Sequence, residues 1–399
     1  MRNHEVIEKQ KLLKDGQIAE PGWSRKMVQE YSRADIKASK WRIKEWDYYL
    51  VMNKDFAVAL TVNDMGYLGM LSASFIDFTK AWEHTETELT MMPMGKFNMP
   101  SHTGESVVSA KGEKSSFEFV TSGGVRHLMC EFKGFDGDKD FRCDIALNEP
   151  VQDSLVIATP FEKKNHFYYN HKINCMTAVG WAEYDGKRYE FTPETDMGIL
   201  DWGRGVWTYD NYWYWGSGSG YVDGVPVGFN IGYGFGDTKA ASENVIFYNG
   251  KANKIDDVTF VIPDDDYLKP WKFTSSDGRF EMDFVPIIDR NSYTDLKLIV
   301  SEQHQVFGKM TGTMILDDGT KVELTDFLCF AEKVHFIEPV LYTYYVNDLQ
   351  KEWQKYPVNY IDAVTGLYAV RRETILTWNA EDTLTHEMVA REYICNVIK

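Results

Sequence analysis

The sequence predicts an all-β protein, with antiparallel strands arranged in two similar tandem domains. Three observations point there. Asx-Gly dipeptides recur between alternating segments, at Asp136-Gly137, Asp185-Gly186, Asp223-Gly224, Asn249-Gly250, Asp277-Gly278 and Asp318-Gly319. Such pairs supply the positive φ that a two-residue hairpin turn needs. Long helical periodicity is scarce. A weak internal echo leads from Lys96-Phe97-Asn98 to Lys114-Ser115-Ser116-Phe117-Glu118-Phe119, and again from Lys172-Ile173-Asn174 to Lys187-Arg188-Tyr189-Glu190-Phe191. For 399 residues, at about 150 residues per domain, the expected division is 1–160, 161–338 and a C-terminal extension over 339–399. Tandem domains of this size match β-barrels or β-sandwiches.

Taken in order, short helices are expected at 5–14, 24–38 and 347–356. Residues 43–49 read as a strand, with Glu45, Asp47 and Tyr49 on one face and Lys44, Trp46 and Tyr48 on the other. In the same alternation Tyr168, Asn170 and Lys172 oppose Tyr169, His171 and Ile173. Hairpins are expected over 181–191, 272–284 and 311–327.

Composition narrows the function. Hydrophobic residues at 44% and charged residues at 26% describe a folded globular chain. A formal net charge of −17 repels a phosphate backbone, so no nucleic-acid partner is expected. Anionic membrane surfaces are disfavoured for the same reason. No apolar run approaches a membrane span or a signal-peptide core, so no membrane insertion is expected. Five scattered cysteines without a CxxC pair fit free thiols in a reducing cytoplasm.

The densest signal runs from Asp201 to Gly236, where aromatics alternate with glycines. It suits either a pocket for an organic molecule or an unusually aromatic core. If Asp223-Gly224 is a two-residue turn, Gly220, Gly218 and Gly216 oppose Val227, Phe229 and Ile231, while Trp215 opposes Gly232 and Trp213 opposes Gly234. Large residues then cover glycines across the ladder. Trp207, Tyr209, Trp213 and Trp215 share a face if the strand is regular.

Asp201 follows the apolar run Met197-Gly198-Ile199-Leu200. Partial desolvation there would raise its carboxyl pKa, as a general acid requires. Arg204 could fix a ligand carboxylate, stack on an indole or neutralise Asp201. The alternative is a buried Asp–Arg pair holding a turn. His171 could act as a base or hydrogen-bond donor, or be a structural histidine. No Cys/His set has zinc-ligand spacing, and no metal or cofactor is expected. Walker, Rossmann, nucleophile-elbow and HExxH signatures are missing.

Gly22-Trp23, residues 43–49, Tyr168 to Lys172 with Cys175, Asp201 to Gly205, Trp213 to Trp215 and Ala331-Glu332-Lys333-Val334-His335 together resemble an uncharacterised bacterial domain-of-unknown-function family over about residues 5–335. More distantly, residues 198–203 are similar to the Asp-His-x-Trp-Gly stretch of the two-domain lipocalin-like group that includes AttH-type proteins, carotenoid 1,2-hydratase, tocopherol cyclases and Diels–Alder cyclases. The resemblance implies two calycin-like barrels with an apolar site near their junction. It also implies an alkene-protonating role for Asp201. The histidine after the aspartate in the hydratase motif is Trp202 here, which departs from the hydratase pattern.

The expected function is therefore binding of an apolar or amphipathic, isoprenoid- or lipid-like small molecule. Cofactor-independent hydration, isomerisation or cyclisation would use Asp201, Arg204 and His171. Trp202, Trp207, Tyr209, Trp213, Trp215, Tyr168, Lys172, Trp46, Asp47 and Tyr48 are the candidate ligand contacts. A non-catalytic lipid carrier or sensor, and a carbohydrate-binding protein, are the alternatives.

Overall fold

The computed structural model describes residues 3–149, 151–263, 265–295, 300–337, 358–361 and 368–370. The chain divides into two compact units, Met1–Tyr293 with Ser301–His335, and Thr294–Val300 with Phe336–Lys399. In the second, Val358–Ile361 and Tyr368–Val370 pair antiparallel. The first is all-β, as the sequence predicts. It consists of two curled antiparallel half-barrels, in keeping with lipocalin-like domains in tandem.

The first sheet has 13 strands. One meander is Ile43–Met52, Phe56–Asp64, Leu68–Asp77 and Trp82–Met91; a second is Ser106–Lys111, Ser115–Ser122, Val125–Asp136 and Lys139–Asn148. Two long strands join them, Phe167–Tyr184 and Met197–Val206, so that Met197–Val206 lies beside Ile43–Met52. Leu155–Pro160 and Lys187–Phe191 also pair with Phe167–Tyr184. All these strands between 155 and 206 belong to the first sheet, although they straddle and follow the division expected near residue 160.

The second sheet has nine strands, in the order Lys251–Lys254, Val245–Tyr248, Val225–Tyr233, Asp210–Val222, Lys321–Ile337, Val300–Ile315, Phe280–Asp295, Trp271–Ser275 and Val258–Val261. Each sheet curls around its own apolar core. Leu60, Phe75, Phe117, Leu128 and Phe141 lie in the first, and Phe229, Trp271, Phe284 and Met310 in the second. A third cluster lies between the outer faces of the two sheets. It joins Tyr48, Leu50 and Ile199 to Trp215, Phe307 and Phe330. Strand alternation accounts for this: both faces of the central strands are covered, so both are apolar.

The turns follow the dipeptides in part. Asp185-Gly186, Asp223-Gly224 and Asn249-Gly250 have positive φ at both residues and close two-residue hairpins. At Asp136-Gly137 the turn itself moves on by one residue, with Asp136 opposite Lys139 and Gly137-Asp138 between them. The aromatic hairpin pairs from Val222↔Val225 to Tyr214↔Tyr233, with Gly216, Gly218 and Gly220 opposite Ile231, Phe229 and Val227 as expected. It ends there because Gly234 has φ +95, which turns Phe235 out of line.

The expected N-terminal helices are not formed. Residues 5–14 contain the short strands Gln10–Lys11 and Leu13–Lys14, and 24–38 contain Gln29–Glu30 and one 3₁₀ turn, Arg33–Asp35. Docking on the first sheet, as in the Gly22–Ser24 pairing with Leu155–Pro160, overrides weak helical propensity. The helix expected at 347–356 lies outside the described residues. Among the described residues, no helix is long and apolar enough to cross a membrane.

Candidate functional site at the junction of the two sheets

Neighbouring residues in register on an antiparallel ladder point to the same side. Across three adjacent strands of the first sheet, the register therefore builds three rows on the face turned toward the second sheet. They are Tyr48–Asp201–Lys172, Trp46–Gly203–Asn170 and Lys44–Gly205–Tyr168.

The middle row is shaped by a missing side chain. A Cβ at Gly203 would stand 1.9 Å from Trp46 Cζ2, so the indole lies flat across the glycine. From there Trp46 stacks on Tyr168, at 5.9 Å and 8°, and meets Trp207 edge-on at 5.2 Å. Phe235 closes the group against Tyr168 (4.8 Å), Trp207 (5.1 Å) and Trp213 (5.4 Å). Trp46 and Trp213 stay half-buried while their partners are buried. An open groove of about 820 Å³ lies alongside, lined by Phe161, Thr208, Asn211, Tyr212, Gly234 and Lys239 among others.

Under these rings is a buried polar floor. Lys172 Nζ pairs with Asp201 Oδ1 at 3.0 Å and lies 3.9 Å from the Trp215 ring centre. Asn170 Nδ2 donates to Asp201 Oδ1 at 2.5 Å and to the Trp202 carbonyl at 2.8 Å. Asn170 Oδ1 is buried and has no partner among the described residues. The second sheet adds Glu332, whose carboxylate oxygens accept from Trp213 Nε1 at 2.9 Å and Gln305 Nε2 at 3.1 Å. Tyr48 and Gln305 bond in turn. Burial pushes the Glu332 carboxyl up to about 7. The Trp213 bond and the Lys172 and Arg290 charges oppose that shift, and Asp201 adds to it. Burial also raises Glu243, with Lys172 opposing and Asp201 reinforcing.

The expected site residues separate by parity. Asp201, Lys172, Tyr168, Trp46, Tyr48, Trp207, Trp213 and Trp215 gather at the junction. Arg204, Trp202, Asp47 and His171 point the other way, into the first sheet. Arg204 binds Asp47 Oδ1 at 3.0 Å and the carbonyls of Trp46, Gly203 and Pro100, and lies 4.1 Å from the Trp202 ring centre. It thus neutralises Asp47, not Asp201, because a spacing of three residues places the two on opposite faces of a strand. His171 bonds Thr103 Oγ1 and Ser154 Oγ, and burial pushes its pKa down to about 3. It is a neutral core histidine. Tyr209 falls between strands, with Arg42 and Lys163 over its ring. It shares no face with the tryptophans because the strand is broken between Val206 and Asp210.

Sequence reasoning did not assign Glu332, Glu243, Gln305, Asn170 or Phe235 to the site. Glu332 left a signal, an acid after the apolar run Phe327-Leu328-Cys329-Phe330-Ala331. Among the described residues no cluster of His, Cys, Asp and Glu could hold a metal ion.

Solved structures similar to this chain include two that the match covers over most of their length. One, described as an AttH from Nitrosomonas europaea, is 12% identical with a TM-score of 0.46, and the match covers 76% of this chain and 95% of that one. The other, kievitone hydratase from Nectria haematococca, is 10% identical with a TM-score of 0.42, covering 74% and 88%. No curated protein matches. The model of one family matches residues 3–336, and the chain belongs to that family, described as Domain of unknown function (DUF2804).

Proposed function

We propose that the protein binds an amphipathic organic molecule at the junction of its two sheets. One observation carries this reading: half-buried aromatic rings, Trp46 and Trp213, stand over a buried polar floor of Asp201, Lys172, Asn170 and Glu332. Apolar walls with a few convergent polar groups are what a small-molecule site needs. Titrating the full chain with amphiphiles while following tryptophan fluorescence tests the reading. A saturable change, weakened in Trp213→Ala, is expected. A flat response in the wild type, or an unaltered one in the variant, refutes it.

Proton transfer is the second reading, and the high pKa of Glu332 favours it. Asp201 accepts from Asn170 and pairs with Lys172. Its part in cofactor-independent acid chemistry would be charge stabilisation, with Glu332 holding the proton to be given.

A further inference from the structure

The floor of the junction carries more buried acid than base. Asp201, Glu243 and Glu332 are all buried, and Lys172 is the ammonium whose charge reaches each of them. Lys172 is already engaged, paired with Asp201 and seated on Trp215. Among the described residues no cation lies within ion-pair distance of Glu332 or Glu243. Trp46 and Trp213 likewise carry no protein cation on their rings, although eleven such contacts occur elsewhere in the described chain. Asn170 independently presents a buried acceptor, Oδ1, with no donor. A buried carboxylate without a counter-charge is costly, and an aromatic ring face attracts cations. Aromatic walls, surplus acid and an unused acceptor call for one chemical complement.

We infer that the junction takes an organic cation, a protonated amine carried on an apolar chain, with the ammonium among Asn170, Glu332 and Glu243 and the chain against Trp46 and Trp213. This rests on the binding reading above and specifies the headgroup. The ammonium donates to Asn170 Oδ1 and supplies the missing positive charge. Because Glu332 sits near neutrality, with Lys172, Arg290 and Asp201 as its charged neighbours, an arriving cation favours its carboxylate form and a proton leaves. Affinity then rises with pH around 7, until the amine itself begins to deprotonate.

Calorimetric titration of the full chain with decylammonium, decan-1-ol and decanoate, below their micellar concentrations, tests this. Decylammonium is expected to bind about tenfold or more tighter than the alcohol, the size of a desolvated cation–π contact, with decanoate weakest. Its binding enthalpy should depend on the buffer at pH 7 because protons are released, and Glu332→Gln should weaken that dependence. The wild-type comparison of headgroups needs no variant, so a folding defect in Glu332→Gln leaves the test intact. Alcohol binding as tight as the amine overturns the cation while leaving the binding reading standing. Tightest binding of decanoate does the same. No binding of any probe overturns both.

Discussion

Glu332 offers the sharpest test of the junction's electrostatics. Its carboxyl moves from an ordinary value of 4.5 to about 7, with burial as the largest cause. An acid whose pKa rises on folding holds its proton more tightly in the native state. Between those two values the native chain carries more protons than the unfolded one. Stability therefore falls as pH rises through that window and levels off above it. A shift of this size corresponds to about 3 kcal/mol. Glu332→Gln keeps an amide oxygen for Trp213 Nε1 and cannot ionise. Urea unfolding of both proteins in steps from about pH 5 to 8 should show the wild type losing about 3 kcal/mol more than the variant. The variant should also be the more stable of the two at the alkaline end. The difference between the curves isolates Glu332 from Glu243, which is shifted in the same direction. Parallel curves would refute the claim that Glu332 is buried without a counter-charge.

Two further substitutions separate the faces of the Met197–Val206 strand. Gly203→Ala forces a Cβ to within 1.9 Å of Trp46, whose ring is held by Tyr168 and Trp207. It should cost about 1–3 kcal/mol in urea unfolding and weaken the fluorescence response to amphiphiles; wild-type behaviour in both would mean that Trp46 does not lie across the glycine. Arg204→Leu leaves Asp47 buried without its partner, at about 3–5 kcal/mol. Adding Asp47→Asn should recover part of that loss, and no recovery in the double variant would contradict the pairing.

The legible parts of the site were those governed by local parity. The odd–even split of residues 43–49 and 168–173 holds in the structure, as does the hairpin register from Val222↔Val225 to Tyr214↔Tyr233. The same rule separates Asp201 from Arg204. Grouping them took adjacency in sequence for adjacency in space. Tyr209 was placed by assuming one continuous strand from 207 to 215, and the break at 207–209 removed it. Phe235 comes to the site through the left-handed turn at Gly234, which strand alternation does not encode.

By itself, then, the sequence determined the strand class, three of the six Asx-Gly hairpin turns and which residues of a strand look the same way, because each follows from backbone geometry over a few neighbouring residues. Only the tertiary structure decided that Lys172 sits on Trp215, that Tyr48 bonds Gln305 and that the charges of Asp201 and Lys172 reach Glu332. Those partners come from strands far apart in the chain and from two different sheets. Their meeting is set by how two curled sheets bury their outer apolar faces against each other, a long-range packing balance that no local pattern encodes.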